Sequence, residues 1–92
     1  MLAMAERKPK ILGEAQTYDE LASILAARRY DLGYTQMELG YIAELQDGYI
    51  AKLEIGHREG KGQRPTGRQA GPRSLYDWLK SLKVKLIVVE DE

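Results

Sequence analysis

The chain has 92 residues and a formal net charge of zero, with fourteen basic and fourteen acidic residues, so it allows one small domain with a modest core and carries no global basic signature. It contains no cysteine, which excludes a disulfide framework and a thiolate metal site. No secretion signal is recognisable and no apolar run, residues 86–89 included, is nearly long enough to span a bilayer, so we expect a cytoplasmic protein with no membrane partner.

The charged residues are unevenly distributed along the chain. Between Gln46 and Lys85, nine Lys or Arg residues stand against four Asp or Glu residues, a local excess of five positive charges. A basic half on a neutral chain permits contact with nucleic acid without requiring it.

The first predicted helix follows a tail. Residues 1–16 are charged, interrupted by proline and expected to be flexible. Thr17 and Glu20 have the spacing of a capping box, which predicts that a helix begins there, and Gly33 is placed to end it in the left-handed conformation. The apolar positions expected to face the core are Leu21, Ile24 and Leu25.

Two short helices are predicted between Tyr34 and Glu54. Thr35 and Glu38 repeat the capping-box pattern at the start of the first. Its apolar positions are Met37, Leu39, Ile42 and Ala43. After a break near residues 44–46, a second apolar stripe consists of Leu45, Tyr49, Ile50 and Leu53. Gly40 lies where the two helices would cross closely. This is the layout of a helix-turn-helix, over residues 17–56, whose second helix is shaped to enter a DNA major groove.

Residues 57–73 have a different composition from the rest of the chain. They contain four Gly, two Pro and five Lys or Arg residues and almost nothing apolar. We expect a flexible basic loop. Such a loop either only connects its neighbours or lays its cations, Arg58 among them, along phosphates or another acidic surface.

Residues 74–92 are expected to complete the same domain with a helix and a strand. Ser74 has the position of an N-cap, and the helix that follows is expected to end near Lys83. Residues 84–89 are rich in branched side chains, which predicts a β-strand. A lone strand needs a backbone partner, and a second copy of the chain is the simplest source. The predicted dimer residues are Val84, Leu86, Ile87 and Val88.

The predicted fold is therefore mainly α: a four-to-five-helix bundle with a helix-turn-helix and a C-terminal strand paired across a homodimer. Residues 21–56 resemble the Cro/CI-type (XRE-like) helix-turn-helix family, and the final helix and strand are similar to its antitoxin-type members. The residues that carry the resemblance, at the family's spacing without a gap, are Arg29, Thr35, Gln36, Leu39, Gly40, Tyr49, Ile50, Leu53 and Glu54.

The resemblance implies roles for individual residues. Arg29 and Glu54 match a structural ion pair between the first and third helices. Gln36 matches a phosphate contact at a helix N-terminus, and Tyr49 is expected to serve both the core and a phosphate. The residues of the recognition helix, about 46–54, that would face the groove are Gln46, Asp47, Gly48, Ala51 and Lys52. Gln can contact adenine, Lys guanine and Ala a thymine methyl.

Three residues depart from the family pattern. Glu44 stands where the turn usually has glycine, which costs strain or changes the turn. Asp47 can accept a hydrogen bond from cytosine but repels phosphate. Gly48 is expected to weaken the recognition helix by up to about 1 kcal/mol.

These observations predict a sequence-specific DNA-binding regulator, expected to be a repressor, that binds a palindromic operator as a homodimer. A bacterial, phage or mobile-element origin rests on the resemblance alone. The alternative is an antiactivator or antitoxin that masks a partner protein, which the zero net charge, Asp47 and the acidic end of the chain favour. Tyr34, Tyr41, Tyr49 and Trp78 are the candidate anchors for such an interface. Neither an enzyme nor a cofactor is expected, because His57, the single histidine, has no organised nucleophile or carboxylate around it.

Overall fold

The computed structural model describes residues 10–55 and 70–91, and this part of the chain is mainly helical. Its four helices are α1 (Tyr18–Asp31), α2 (Gln36–Ile42), α3 (Tyr49–Ile55) and α4 (Pro72–Ser81). No strand occurs within the described ranges. None of these four helices combines the length and the hydrophobicity that crossing a bilayer would require. Most of the predicted N-terminal tail and of the predicted loop at 57–73 lies outside the described residues.

Helix α1 begins and ends where its sequence predicts. Thr17 Oγ1 accepts the N–H of Glu20 at 3.2 Å, and Glu20 Oε1 accepts the N–H of Thr17 at 3.1 Å. At the other end Gly33 has a φ of 82°, and the N–H of Tyr34 donates to the carbonyl of Arg29 at 3.2 Å. This is a Schellman motif, which satisfies the last carbonyls of a helix through one left-handed residue.

The buried side of α1 is rotated relative to the predicted stripe. Ala22 and Leu25 are buried, and Leu21 packs at the edge of the core. Ile24 is only half-buried and lies under the segment before the helix: a Cβ built on Gly13 would lie 2.8 Å from Ile24 Cδ1. The prediction that Ile24 faces the core is therefore wrong, because residues preceding the helix cover that side.

Helix α2 also ends in a Schellman motif, but without glycine. Glu44 has a φ of 60°, and its N–H donates to the carbonyl of Tyr41 at 3.2 Å. The N–H of Leu45 donates to the carbonyl of Gly40 at 2.9 Å. The left-handed conformation costs an L-residue roughly 1–2 kcal/mol. Glu44 therefore has the turn geometry that glycine would provide, at the cost of a strained left-handed backbone conformation.

Helix α3 is shorter than predicted. The sequence pattern starts the recognition helix near Gln46, whereas α3 begins at Tyr49. The N–H of Tyr49 donates to the carbonyl of Gln46 at 3.0 Å, and Gly48 has a φ of 79°, which no α-helix includes. Gln46, Asp47 and Gly48 therefore lie in the turn before α3. The expectation that Gly48 weakens the helix is wrong, because it precedes the helix and its conformation favours glycine.

One hydrophobic cluster holds the four helices together. Its buried members are Ala22, Leu25, Leu39, Ile50, Leu53, Trp78 and Leu82. Helices α2 and α3 approach closely at Gly40, where an added Cβ would lie 3.6 Å from Ile50 Cγ1, an ordinary packing distance. Met37 and Ile42, both predicted as apolar positions of this stripe, are exposed. Only one side of the two-turn helix α2 reaches the core, and Leu39 occupies it.

Helix α4 begins two residues before the predicted N-cap. Pro72 is its first residue, and Gly71 precedes it without a side-chain cap. Proline is favoured at this position because its φ is already helical and its missing N–H would have no partner there. Ser74 therefore lies inside the helix, where its hydroxyl is 3.3 Å from that of Tyr49 and forms a hydrogen bond with it.

The C-terminal segment forms no strand in the single chain. Lys83, with a φ of 59°, ends α4, and the N–H of Val84 donates to the carbonyl of Leu79 at 3.1 Å. Residues 85–91 make no backbone hydrogen bond to another described residue. The predicted strand is absent because no described segment offers it a pairing edge. Of the predicted dimer residues, Val84 packs against the core. The others, all exposed, are Leu86, Ile87 and Val88.

Two side chains of α1 connect it to the ends of α3 and α4. The Tyr18 hydroxyl donates to the carbonyl of Leu53 at 3.2 Å and accepts the N–H of Ala70 at 3.2 Å. Arg28 Nε donates to the carbonyl of Leu82 at 3.0 Å. Both carbonyls lie at helix ends, where backbone acceptors lack helical partners. Burial raises the pKa of the Tyr18 hydroxyl, so it stays protonated as a donor.

We expect Glu44→Gly to increase the free energy of unfolding by about 0.5–1 kcal/mol, because relief of left-handed strain exceeds the added flexibility of the unfolded chain. Urea denaturation followed by circular dichroism measures the change. Glu44→Ala is the matched control, since it removes the same carboxylate but keeps the strained φ. A glycine variant no more stable than the alanine variant would contradict strain at this turn.

Candidate functional site

One polar network connects α1, α2 and α3. Arg29 Nε lies 2.7 Å from Glu54 Oε2, and Arg29 Nη2 donates to Glu54 Oε1 at 3.3 Å. Gln36, the first residue of α2, donates through Nε2 to the same Oε1 at 2.7 Å. Arg29 also donates through Nη1 to the carbonyl of Tyr34 at 2.8 Å. We refer to Arg29, Gln36 and Glu54 as the Glu54 network. Its ion pair joins Arg29 and Glu54, the two residues that the resemblance predicts to form an ion pair.

Burial explains why this network has three members. Glu54 is 7% exposed and is the one buried charged residue among those described. A buried carboxylate is costly unless hydrogen bonds and an opposite charge compensate for its lost hydration. The two-pronged guanidinium of Arg29 supplies both. Gln36 completes the set, so its amide nitrogen is directed at Glu54, whereas the resemblance assigns that amide to a DNA phosphate.

The inner side of α3 is occupied by the fold. Ile50 and Leu53 are buried in the core, and Tyr49 is half-buried with its hydroxyl bonded to Ser74. The hydroxyl of Tyr49 thus contacts α4, and the phosphate contact predicted for it is not supported by this orientation. Sequence reasoning assigned Tyr49 partly to the core, and that part agrees with its position.

The remaining predicted DNA-binding residues lie together on the outside. Lys52 is exposed and Ala51 half-exposed on α3. The turn residues Gln46, Asp47 and Gly48 are exposed beside them. These five residues form what we call the outer surface of α3. Arg58, the last predicted contact, lies outside the described residues.

The electrostatic character of this region is acidic. Residues 34–55 contain one basic residue, Lys52, and four acidic residues, a net charge of −3 (1 minus 4). Arg29 compensates Glu54 from α1. The other three carboxylates are exposed, at Glu38, Glu44 and Asp47. Long-range attraction to phosphate is therefore weak at this surface, and any nucleic-acid binding there depends on base contacts more than on charge.

A cleft of about 500 Å³ opens between α2 and the turn. Met37 and Tyr41 lie one helical turn apart on its wall and are 78% and 86% exposed. The residues that line it are Tyr34, Met37, Glu38, Tyr41, Ile42 and Asp47. The sequence analysis named Tyr34 and Tyr41 as interface anchors, but it assigned Met37 and Ile42 to one apolar stripe with Leu39 and therefore did not predict the cleft. The available signal was that α2 has more apolar residues than one side of a two-turn helix can bury.

One of the two carboxylates that line the cleft, that of Glu38, also caps the N-terminus of α2. Glu38 accepts the N–H of Thr35 at 2.8 Å in the second capping box, and the backbone and hydroxyl of Thr35 hold the pKa of Glu38 below its usual value. Glu38 is therefore ionised at neutral pH. Within the described ranges, no three His, Cys, Asp or Glu side chains are arranged to hold a metal ion.

We expect Glu54→Gln to lower the free energy of unfolding by about 3 kcal/mol, because the Arg29 side chain, only 12% exposed, would lose its counter-charge. Gln36→Ala removes one hydrogen bond to a carboxylate and should cost about 1–2 kcal/mol. The control is Arg73→Gln, which breaks an exposed pair with Asp77 at 3.2 Å and should change stability by less than about 0.5 kcal/mol. Equal, small losses in all three variants would show that the Glu54 network does not hold the helices together.

Comparison with known proteins identifies no family for this chain. No protein-family model matches it, and searches of curated proteins and of solved structures found no match. Any function assigned to the chain is therefore inferred from the geometry of its described residues and from the resemblance of its sequence.

Proposed function

We propose that this chain is a sequence-specific DNA-binding transcription regulator, acting as a repressor, in which α2, the turn and α3 serve as a helix-turn-helix. The observation that supports the proposal is the position of α3. The Glu54 network and the core hold α3 by its inner side, and among the described residues no side chain of its outer surface belongs to that network or that core. A recognition helix needs such a free outer surface to enter a major groove.

The side chains of this surface suit direct readout of bases. Lys52 is its cation and would donate to guanine, while Gln46 in the turn would pair with adenine. Asp47 would accept a hydrogen bond from the amino group of cytosine. Because the carboxylates nearby repel phosphate, the backbone contacts of the complex are assigned to the basic residues between 58 and 73.

The proposal includes a homodimer, so that two copies of α3 read the half-sites of a palindrome. Its support is the apolar run at the C-terminus, where every side chain of residues 86–89 is more than half exposed and Val88 is 96% exposed. Pairing this segment with its counterpart in a second copy would bury these side chains and satisfy their backbone groups.

DNA reading is tested by selecting random duplexes with the purified protein at low and moderate salt. We expect a palindrome with half-sites about one helical turn apart. Lys52→Ala and Gln46→Ala should each weaken binding to that palindrome by about five- to 150-fold, the range of 1–3 kcal/mol per base contact. Lys80→Ala, an exposed lysine on α4, is the control and should bind as wild type. Wild-type binding by both test variants would reject α3 as the recognition helix.

Dimerisation through the C-terminal segment is tested with a double substitution, Ile87→Pro with Val88→Pro. One of two adjacent residues donates to a strand partner in either register, so the two prolines together block pairing. We expect sedimentation velocity to show a monomer for this variant and a dimer for the control, Ile87→Thr with Val88→Thr. A dimer that survives the two prolines would place the interface elsewhere.

The cleft favours a second candidate function, the masking of a partner protein by an antiactivator or antitoxin. Exposed apolar side chains grouped in a concave surface are typical of protein interfaces, and no DNA contact uses Met37 or Tyr41 in the proposal above. The duplex selection separates the two candidates: without any DNA binding, partner masking becomes the main proposal.

A further inference from the structure

We propose that the cleft between α2 and the turn is the docking site for a basic amphipathic helix of a partner protein. This inference rests on the partner-masking candidate and adds the chemistry and the position of the partner. Three features of the cleft carry it: its apolar wall, its acidic rim and the absence of Lys and Arg from its lining residues.

The apolar wall provides anchors at helical spacing. Met37 and Tyr41 are separated by one turn of α2 and project from the side opposite Leu39, which is buried. Tyr34 and Ile42 extend the wall. A volume of about 500 Å³ is enough for the large side chains of an apolar stripe on a docked helix. Methionine and tyrosine suit such contacts, because they adapt their shape and lose little conformational freedom.

The acidic rim selects the charge of the partner. Glu38 and Asp47 both line the cleft, and Glu44 is exposed in the turn between α2 and α3. Residues 34–51 contain no Lys or Arg. Carboxylates around an apolar centre attract a helix whose leucine-like stripe is flanked by Lys or Arg, and they repel nucleic acid.

A second copy of this chain fits the cleft less well than such a helix. Its exposed apolar segment, residues 86–89, has Lys83 and Lys85 before it and Glu90 and Asp91 after it, so it offers the rim no net positive charge and brings two carboxylates to it. Like charges brought together at an interface oppose binding. The charge of the cleft therefore points to a basic segment of a different protein.

The test uses the full-length protein and three synthetic amphipathic helices with identical leucine spacing, whose polar positions are lysine, glutamine or glutamate. NMR titration reports where each peptide binds. We expect the lysine peptide to shift the methyl signal of Met37 and the amide signal of Tyr41, and to bind about tenfold more tightly than the glutamine peptide at low salt. The glutamate peptide should produce no shift.

Matched variants show whether the cleft is the site. Tyr41→Ser should weaken binding of the lysine peptide about tenfold, whereas Tyr76→Ser, an exposed tyrosine of α4, should leave it unchanged. Glu38→Gln combined with Asp47→Asn removes two charges while Gln preserves the capping box. This pair should reduce the advantage of the lysine peptide over the glutamine peptide about fivefold.

The inference is overturned if the three peptides bind alike, if the shifts map away from Met37 and Tyr41, or if Tyr41→Ser behaves like Tyr76→Ser. Titration of the same variants with the selected DNA distinguishes this failure from that of the proposed function. Lys52→Ala should lose DNA and keep the lysine peptide, and Tyr41→Ser should do the reverse. If the protein binds no DNA, the peptide result still decides the role of the cleft.

Discussion

The structure depends on compensating one buried carboxylate. Helices α2 and α3 have seven residues each, too few to be stable alone in water, so their positions must come from contacts with the rest of the chain. Glu54 gathers Arg29 from α1 and Gln36 from α2 because a carboxylate removed from water needs a cation and donors. The core adjacent to it is not directional, whereas these bonds fix which side of α3 faces inward. The surface available for function follows from that choice.

Helix ends are the second constraint on the site. All three helices that run into a described turn finish with a left-handed residue, and only Gly33 is a glycine among Gly33, Glu44 and Lys83. At Glu44 this geometry turns the chain so that residues 46–48 become a connection between α2 and α3. Gln46 and Asp47 are therefore presented by backbone turns and not by helical spacing. The left-handed conformation of Glu44 therefore helps to set the direction of these two side chains.

Sequence reasoning succeeded where the controlling interactions are local. The capping boxes at Thr17 and Thr35 each involve one residue and another three positions later. The residue types at that spacing are therefore nearly sufficient to predict a capping box. It failed where distant segments decide. Ile24 is covered by residues before α1, and the start of α3 depends on the φ of Gly48. The predicted C-terminal strand requires an edge that the described residues do not offer, because strand pairing is a property of two segments.

The two proposed binding surfaces, the outer surface of α3 and the cleft beside α2, share the turn between these helices, so the two proposed complexes would exclude each other. Asp47 lies on the outer surface of α3 and also lines the cleft beside α2. A helix docked against Met37 and Tyr41 would cover Asp47, and α3 inserted in a major groove would bring the same side chain to the bases. One turn cannot be buried in both complexes at once. If both proposals hold, a basic partner and DNA compete for the protein, and the partner's concentration sets how much of the regulator remains on its operator.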